Sequence, residues 1–450
     1  MKHKIRFTTT QLIMLSFLGA ILVGSILLTL PISSSGERVP YVDALFTATT
    51  SICVTGLVTV TTASAWSTFG HIVILCLIQI GGLGIITIIS AIMVILNKKI
   101  GMNDRILLQD TFNLNSLFGI VRFLKNVIIG TLVVEGAGAL LYMLVFVPEF
   151  GLRGIWYSIF NSVSAFCNAG MDIIGENSMC NYKLNPIVNT VTNLLIILGG
   201  IGYIVWWDVI RVIKELPKKK WKCFSGLTLH SKIALSTTGI LVFGGMLLIL
   251  LFEYNNPLTI GNYNLFDKLQ ISLFQSVTTR TAGFVSVPQK DITNASALIS
   301  VLLMFFGGSP VGTAGGVKTV TIAVLLCSAF ATITNRNDVE MFNRRISAEA
   351  VKKSVAVVAT SFVICFTSTL LLSLVCNADM LDIVYETVSA TATVGLSRDL
   401  TPTLNVWGKI IIITTMYLGR VGPISMVIAF TATNKKTNII KSPTEEISVG

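Results

Sequence analysis

Ser389-Ala390-Thr391-Ala392-Thr393-Val394-Gly395-Leu396 is a run of small and hydroxyl-bearing residues closed by one glycine, and it has three counterparts upstream. These are Thr50-Ser51-Ile52-Cys53-Val54-Thr55-Gly56-Leu57, Ser162-Val163-Ser164-Ala165-Phe166-Cys167-Asn168-Ala169-Gly170-Met171 and Ser276-Val277-Thr278-Thr279-Arg280-Thr281-Ala282-Gly283-Phe284. Their glycines, Gly56, Gly170, Gly283 and Gly395, are spaced 114, 113 and 112 residues apart. So regular a period reads as duplication. A second marker follows each glycine after 25, 29, 24 and 24 residues: Gly81-Gly82-Leu83-Gly84, Gly199-Gly200-Ile201-Gly202, Gly307-Gly308-Ser309-Pro310 and Gly419-Arg420-Val421-Gly422. Two markers in step make chance agreement a poor explanation.

Outward from these runs the chain is apolar. Candidate membrane spans lie near 11–31, 69–96, 118–147, 187–213, 231–252, 294–333, 354–376 and 405–432. Between the two members of each pair sits a shorter, half-apolar segment, at 41–53, 154–167, 267–279 and 380–392. Each is too short to cross and reads as a re-entrant helix. The expected fold is an all-α membrane protein of four tandem helix, pore-loop, helix repeats around a pseudo-fourfold pore, with eight transmembrane and four re-entrant helices. The expected units are 1–101, 102–222, 223–345 with a broken second span, and 346–450 with a tail. Lys2, Lys4 and Arg6 before the first run resemble a signal peptide, but that run has the length of a retained span.

Composition agrees with a membrane class. Of 450 residues 53% are hydrophobic and 12% charged, against roughly 25% charged in soluble domains. The net charge of +11 comes from bases scattered between apolar segments, which excludes a nucleic-acid-binding face. Eight cysteines without a C-x-x-C pair, and the absence of zinc, P-loop or nucleophile-elbow motifs, argue against an enzyme. Bases collect on one set of loops (Lys98, Lys99, Arg105, Arg122, Lys125, Arg211, Lys214, Lys218, Lys219, Lys220, Lys222, Lys232, Arg336, Arg344, Arg345, Lys352, Lys353) and on the tail with Lys435, Lys436 and Lys441. Acids dominate the other loops. The positive-inside rule then puts both termini in the cytoplasm and has every short segment dip in from outside, with the basic loops attracted to anionic lipid.

Four units entering from the same side are parallel and imply an axis along the membrane normal, unlike the inverted repeats of many carriers. A dehydrated cation needs oxygens to replace its water, and rings of backbone carbonyls supply them in potassium channels. Glycine adopts at low cost the dihedrals that turn successive carbonyls to one axis. The candidate filter residues are Cys53, Val54, Thr55 and Gly56; Cys167, Asn168, Ala169 and Gly170; Arg280, Thr281, Ala282 and Gly283; and Ala392, Thr393, Val394 and Gly395. Each short helix would aim its negative C-terminal end at the loop.

These loops, together with Gly419-Arg420-Val421-Gly422-Pro423, resemble the Trk/Ktr/HKT superfamily of potassium and sodium transporters, and most of all its KtrB-type pore subunits. The resemblance covers nearly the whole chain. It implies K+ at the filter, potassium uptake often favoured by Na+, and a homodimer in the bacterial plasma membrane. It also implies a cytosolic KtrA-type regulatory ring, through which alone a nucleotide would act. The second loop, Cys167-Asn168-Ala169-Gly170, departs from the Thr-x-Gly look of the others.

Arg420 stands where the other units have Gly82, Gly200 and Gly308. It lies 13 residues, ~20 Å, inward from Trp407, inside the hydrocarbon, where an arginine costs at least roughly 2.5–3.5 kcal/mol. Two readings are open: a positive barrier under the filter, or an ion pair with Glu135 or Asp208. The tract Gly307-Gly308-Ser309-Pro310-Val311-Gly312-Thr313-Ala314-Gly315-Gly316-Val317-Lys318 cannot sustain a helix. It is the one span expected to break, and with Arg420 it is the candidate gate. Arg280 is expected behind the filter, paired with Glu386 or Asp382. The rival function is a sodium-coupled carrier of another solute.

Overall fold

The computed structural model describes residues 9–95, 119–219, 225–336 and 338–422, together with 101, 105, 108 and 109. Lys2, Lys4, Arg6, Lys98, Lys99, Lys220, Lys222, Cys223, Pro423, Lys435, Lys436 and Lys441 lie outside the described residues. The described residues are mostly helical, with a single two-stranded hairpin, Glu340–Met341 with Arg344–Arg345.

Along the chain one order of elements recurs. A long helix (Thr9–Thr29, Ile120–Phe150, Leu229–Glu253, Ala348–Val375) is followed by a short one (Tyr41–Cys53, Arg153–Phe166, Leu265–Thr278, Met380–Ala392). An irregular segment then leads to a return helix (Thr68–Leu83, Pro186–Ile201, Asn294–Phe305, Val406–Val421). The four long helices are long and apolar enough to cross a membrane. Leu132, Val133, Leu140 and Leu144 on the second, and Leu247 and Leu251 on the third, are exposed, as a lipid-facing surface requires.

Since lipid gives little hydrophobic drive between helices, close approach and hydrogen bonds must supply the packing. Gly138 in the second long helix leaves room for Ser162 of the short helix, whose hydroxyl donates to Glu135 O at 2.6 Å. Gly245 and Ser276 repeat the arrangement in the third, with Ser276 donating to Val242 O at 2.7 Å. Each return helix also packs on the short helix of the next unit, and the last packs on the first, so the arrangement closes on itself.

The return helices differ from expectation. Only the third was expected to break, yet the first breaks at Gly84 (φ 87°, ψ 136°) and the second at Gly202 (φ 93°, ψ 141°), while the fourth is helical as far as Val421, with Gly422 in the same conformation (φ 95°, ψ 129°). That conformation is essentially open to glycine alone. At Gly202 the two helical pieces are bent by 101°. The runs near 69–96 and 187–213 are therefore helix pairs, Thr68–Leu83 with Ile85–Ile95 and Pro186–Ile201 with Tyr203–Lys219, rather than straight spans. In the third unit the break widens into the loop 306–318, before Thr319–Ile333. The loop is closed at its neck by Gly307 N donating to Val317 O at 2.9 Å and Val317 N to Phe305 O at 3.2 Å.

Candidate ion-conduction site

Each short helix ends fully buried and hands over to a loop with the same alternation of backbone hand. Val54, Asn168, Thr281 and Thr393 have φ of 55°, 59°, 61° and 53°, and two residues on Gly56, Gly170, Gly283 and Gly395 have φ of 98°, 64°, 76° and 96°. Alternating hand rotates successive peptide planes so that their carbonyls turn to one side instead of to opposite sides, as they do in a strand. The N–H groups turn the other way, toward the short helix. Gly56 N donates to Thr50 Oγ1 at 2.9 Å and Gly395 N to Ser389 Oγ at 3.0 Å. Ala169 N donates to Ser164 O at 2.8 Å and Val394 N to Ser389 O at 2.8 Å. Among the described residues no donor engages the carbonyls of Thr55, Gly56, Ala169, Gly170, Ala282, Gly283, Val394 or Gly395.

The four glycines meet. A Cβ added at Gly56 would lie 2.6 Å from Ala169 O, one at Gly170 2.5 Å from Ala282 O, and one at Gly283 2.6 Å from Val394 O. One at Gly395 would strike Thr55 O, which completes the circuit. Each glycine therefore abuts the carbonyl just before the glycine of the next unit. Above them opens a cavity of about 360 Å³, lined by all four glycines and by Asp172, Glu176 and Asp399, with no lysine or arginine among the described residues of its wall. Burial pushes the Asp172 carboxyl up to about 6, against the hydrogen bonds from Ser178 and from the Ile174 and Gly175 backbone that lower it.

Below the ring sits Arg420. Its guanidinium donates to Thr313 O at 2.6 Å and to Gly81 O, tying the loop 306–318 to the first return helix. Among the described residues it has no carboxylate partner. Glu135 accepts instead from Gln79 Nε2 at 3.2 Å, and Asp208 from Arg211 at 2.5 Å and Thr228 N at 2.8 Å. Lys318 Nζ donates to Ala314 O at 2.6 Å, within its own loop.

Arg280 also departs from expectation. Its Nη2 reaches Thr238 Oγ1 and Gly307 O, both at 3.4 Å, and among the described residues Nη1 is buried without a partner. Glu386 is occupied by Ser397 at 2.7 Å and Thr401 at 2.5 Å, and Asp382 by Arg398 at 2.7 Å. Those carboxylates are taken up within the fourth unit, whereas Arg280 reaches Thr238 and Gly307 within the third, so neither meets it. The first glycine of each second marker has a role the spacing did not reveal. A Cβ at Gly81, Gly199 or Gly419 would strike Ile52 O, Phe166 O or Thr391 O, so these glycines admit the C-terminal end of the short helix. Gly307, Gly308, Gly312, Gly315 and Gly316 instead pack the loop upon itself and upon Gly199, Gly200 and Thr393.

The profile of the TrkH family, described as a cation transport protein, matches residues 2–441. This chain belongs to the TrkH family. It is therefore a membrane cation transporter and not an enzyme. Among TrkH-family relatives, Ktr system potassium uptake protein B of Bacillus subtilis is 38% identical over 447 residues, covering 99% of this chain and 98% of its own. Potassium/sodium uptake protein NtpJ of Enterococcus hirae is 38% identical over 459 residues, covering 100% and 99%. The crystal structure of the potassium transporter TrkH from Vibrio parahaemolyticus superimposes with a TM-score of 0.74 at 17% identity, covering 96% of this chain and 86% of that one. At that identity the TrkH likeness is one of fold.

Proposed function

We propose that this chain is the translocating pore subunit of a Ktr-type potassium uptake system in the bacterial plasma membrane. The observation that carries the proposal is the closed circuit of four glycines with unengaged carbonyls beneath an acidic vestibule. Carbonyls without donors are what a cation shedding its water requires, and the short helices direct their negative ends at the same place. The names of the relatives from Bacillus subtilis and Enterococcus hirae favour potassium, with sodium as a second ion. In this reading the residues 1–101, 102–222, 223–345 and 346–450 are four parallel repeats with both termini cytoplasmic, and eight spans with four re-entrant helices surround one pseudo-fourfold pore. The loop 306–318 with Arg420 is the gate. A homodimer, a KtrA-type cytosolic ring bearing the nucleotide, and sodium dependence follow from the family resemblance and belong to the same proposal.

Rubidium and sodium uptake into liposomes carrying the purified protein tests it. Rubidium should enter faster than sodium, and Gly395→Ser should narrow the difference. Equal, unselective uptake that Gly395→Ser leaves untouched would remove the filter from the account.

A further inference from the structure

The second loop departs from the other three at Asn168, and that side chain does something theirs do not. Of the four left-handed positions, 54, 168, 281 and 393, only 168 carries an amide. Asn168 is fully buried. Its Nδ2 donates to Arg280 O at 3.3 Å, at the start of the third loop, and its Oδ1 accepts from Thr313 Oγ1 at 3.0 Å, in the loop 306–318. The reverse placement would set two acceptors, Oδ1 and Arg280 O, against each other, so the amide has one favourable orientation. Thr313 Oγ1 also lies 3.1 Å from Phe166 O, and Gly315 N donates to Thr281 Oγ1 at 3.1 Å. Gly199 keeps the space for this meeting, since a Cβ there would lie 2.8 Å from both Asn168 Oδ1 and Thr313 Oγ1. The inner loop is thus bonded to two of the four outer loops, while Arg420 holds Thr313 from the other side.

We propose that Asn168 is a positioning residue that makes ion selectivity depend on the state of the loop 306–318, with Thr313 as its counterpart. The proposal rests on the reading of these loops as filter and gate. When the loop moves aside, Thr313 leaves Asn168 Oδ1 unpaired in a buried site, which is costly. The amide then turns to find another donor and releases Arg280 O, so the second and third filter loops lose a shared support. Ion preference is therefore tightest with the loop in place and relaxes as it opens.

The test compares rubidium and sodium uptake per folded protein in liposomes for the wild type, Thr313→Val, Thr313→Ser, Asn168→Gly and the Thr313→Val/Asn168→Gly double variant. Valine keeps the shape and removes the hydroxyl, and glycine keeps the left-handed backbone without the amide. Each of these two variants should raise the sodium-to-rubidium ratio about three- to tenfold, the worth of a buried hydrogen bond. The double variant should go no further than either alone, and Thr313→Ser should behave as wild type. An unchanged ratio in both single variants, or additive effects in the double, overturns the proposal. Deleting 311–315 separates the readings: if total flux stays low there while Thr313→Val still shifts the ratio, the gate assignment fails and the tie between the loops stands.

Discussion

Gly395 abuts Thr55 O so closely that even a methyl group has no room, and its φ of 96° already excludes most side chains. Gly56, Gly170 and Gly283 are held the same way, so changing any one to serine should displace a neighbouring carbonyl and raise sodium uptake relative to rubidium. Arg420 is fixed by two carbonyls, which keeps its charge under the ring. Two unit charges ~5 Å apart interact by roughly 3 kcal/mol at an effective dielectric of ~20. Flux per folded protein should therefore rise at least about tenfold in Arg420→Gln, and Arg420→Lys should remain slow because it keeps the charge. Asp172 supplies a pH dependence. With its carboxyl raised to about 6 it is ionised at neutral pH and neutral below. Uptake at low potassium should fall as the pH on the side of the acidic cavity drops through 6, and Asp172→Asn should flatten that profile. The glycines were legible because a positive φ with a close neighbour admits no other residue. The partners of Arg280 and Arg420 were not, because backbone carbonyls accept hydrogen bonds wherever they stand and leave no sequence signal.

Between residues and molecule, the informative element is the loop 306–318, anchored by Arg420, Asn168, Thr281 and the second return helix, where Ser309 N donates to Gly200 O at 2.8 Å and Tyr203 N to Val311 O at 3.0 Å. These anchors hold it beneath the ring, so deletion of Val311 to Gly315 should raise flux and weaken control by any cytosolic partner. Low flux with control intact would move the gate elsewhere. The run of five glycines with a proline made this loop readable as non-helical. The breaks at Gly84 and Gly202 were hidden, since a lone glycine in an apolar helix costs only ~1 kcal/mol and is ordinarily tolerated. Each return helix also packs on the short helix of the next unit, and that neighbour is more than sixty residues away in sequence.

At the scale of the whole molecule, the fourth return helix closes the circuit against the first short helix, with Lys409 Nζ 2.5 Å from Asp43 Oδ1 at a largely buried contact. Lys409→Met should lower thermal stability by on the order of 3 kcal/mol, because it strands a buried carboxylate. Adding Asp43→Asn should recover part of the loss in a melting experiment. The fourfold glycine spacing made the arrangement readable, and its closure was not, since nothing local in Lys409 points to a residue 366 positions away. Because the four glycine loops belong to one polypeptide, inheritance acts on them one at a time. A pore assembled from identical chains receives every substitution in quadruplicate, whereas in the proposed reading a single codon here alters one wall and leaves three as references. The amide at position 168 is then a change made to one wall and not to the other three.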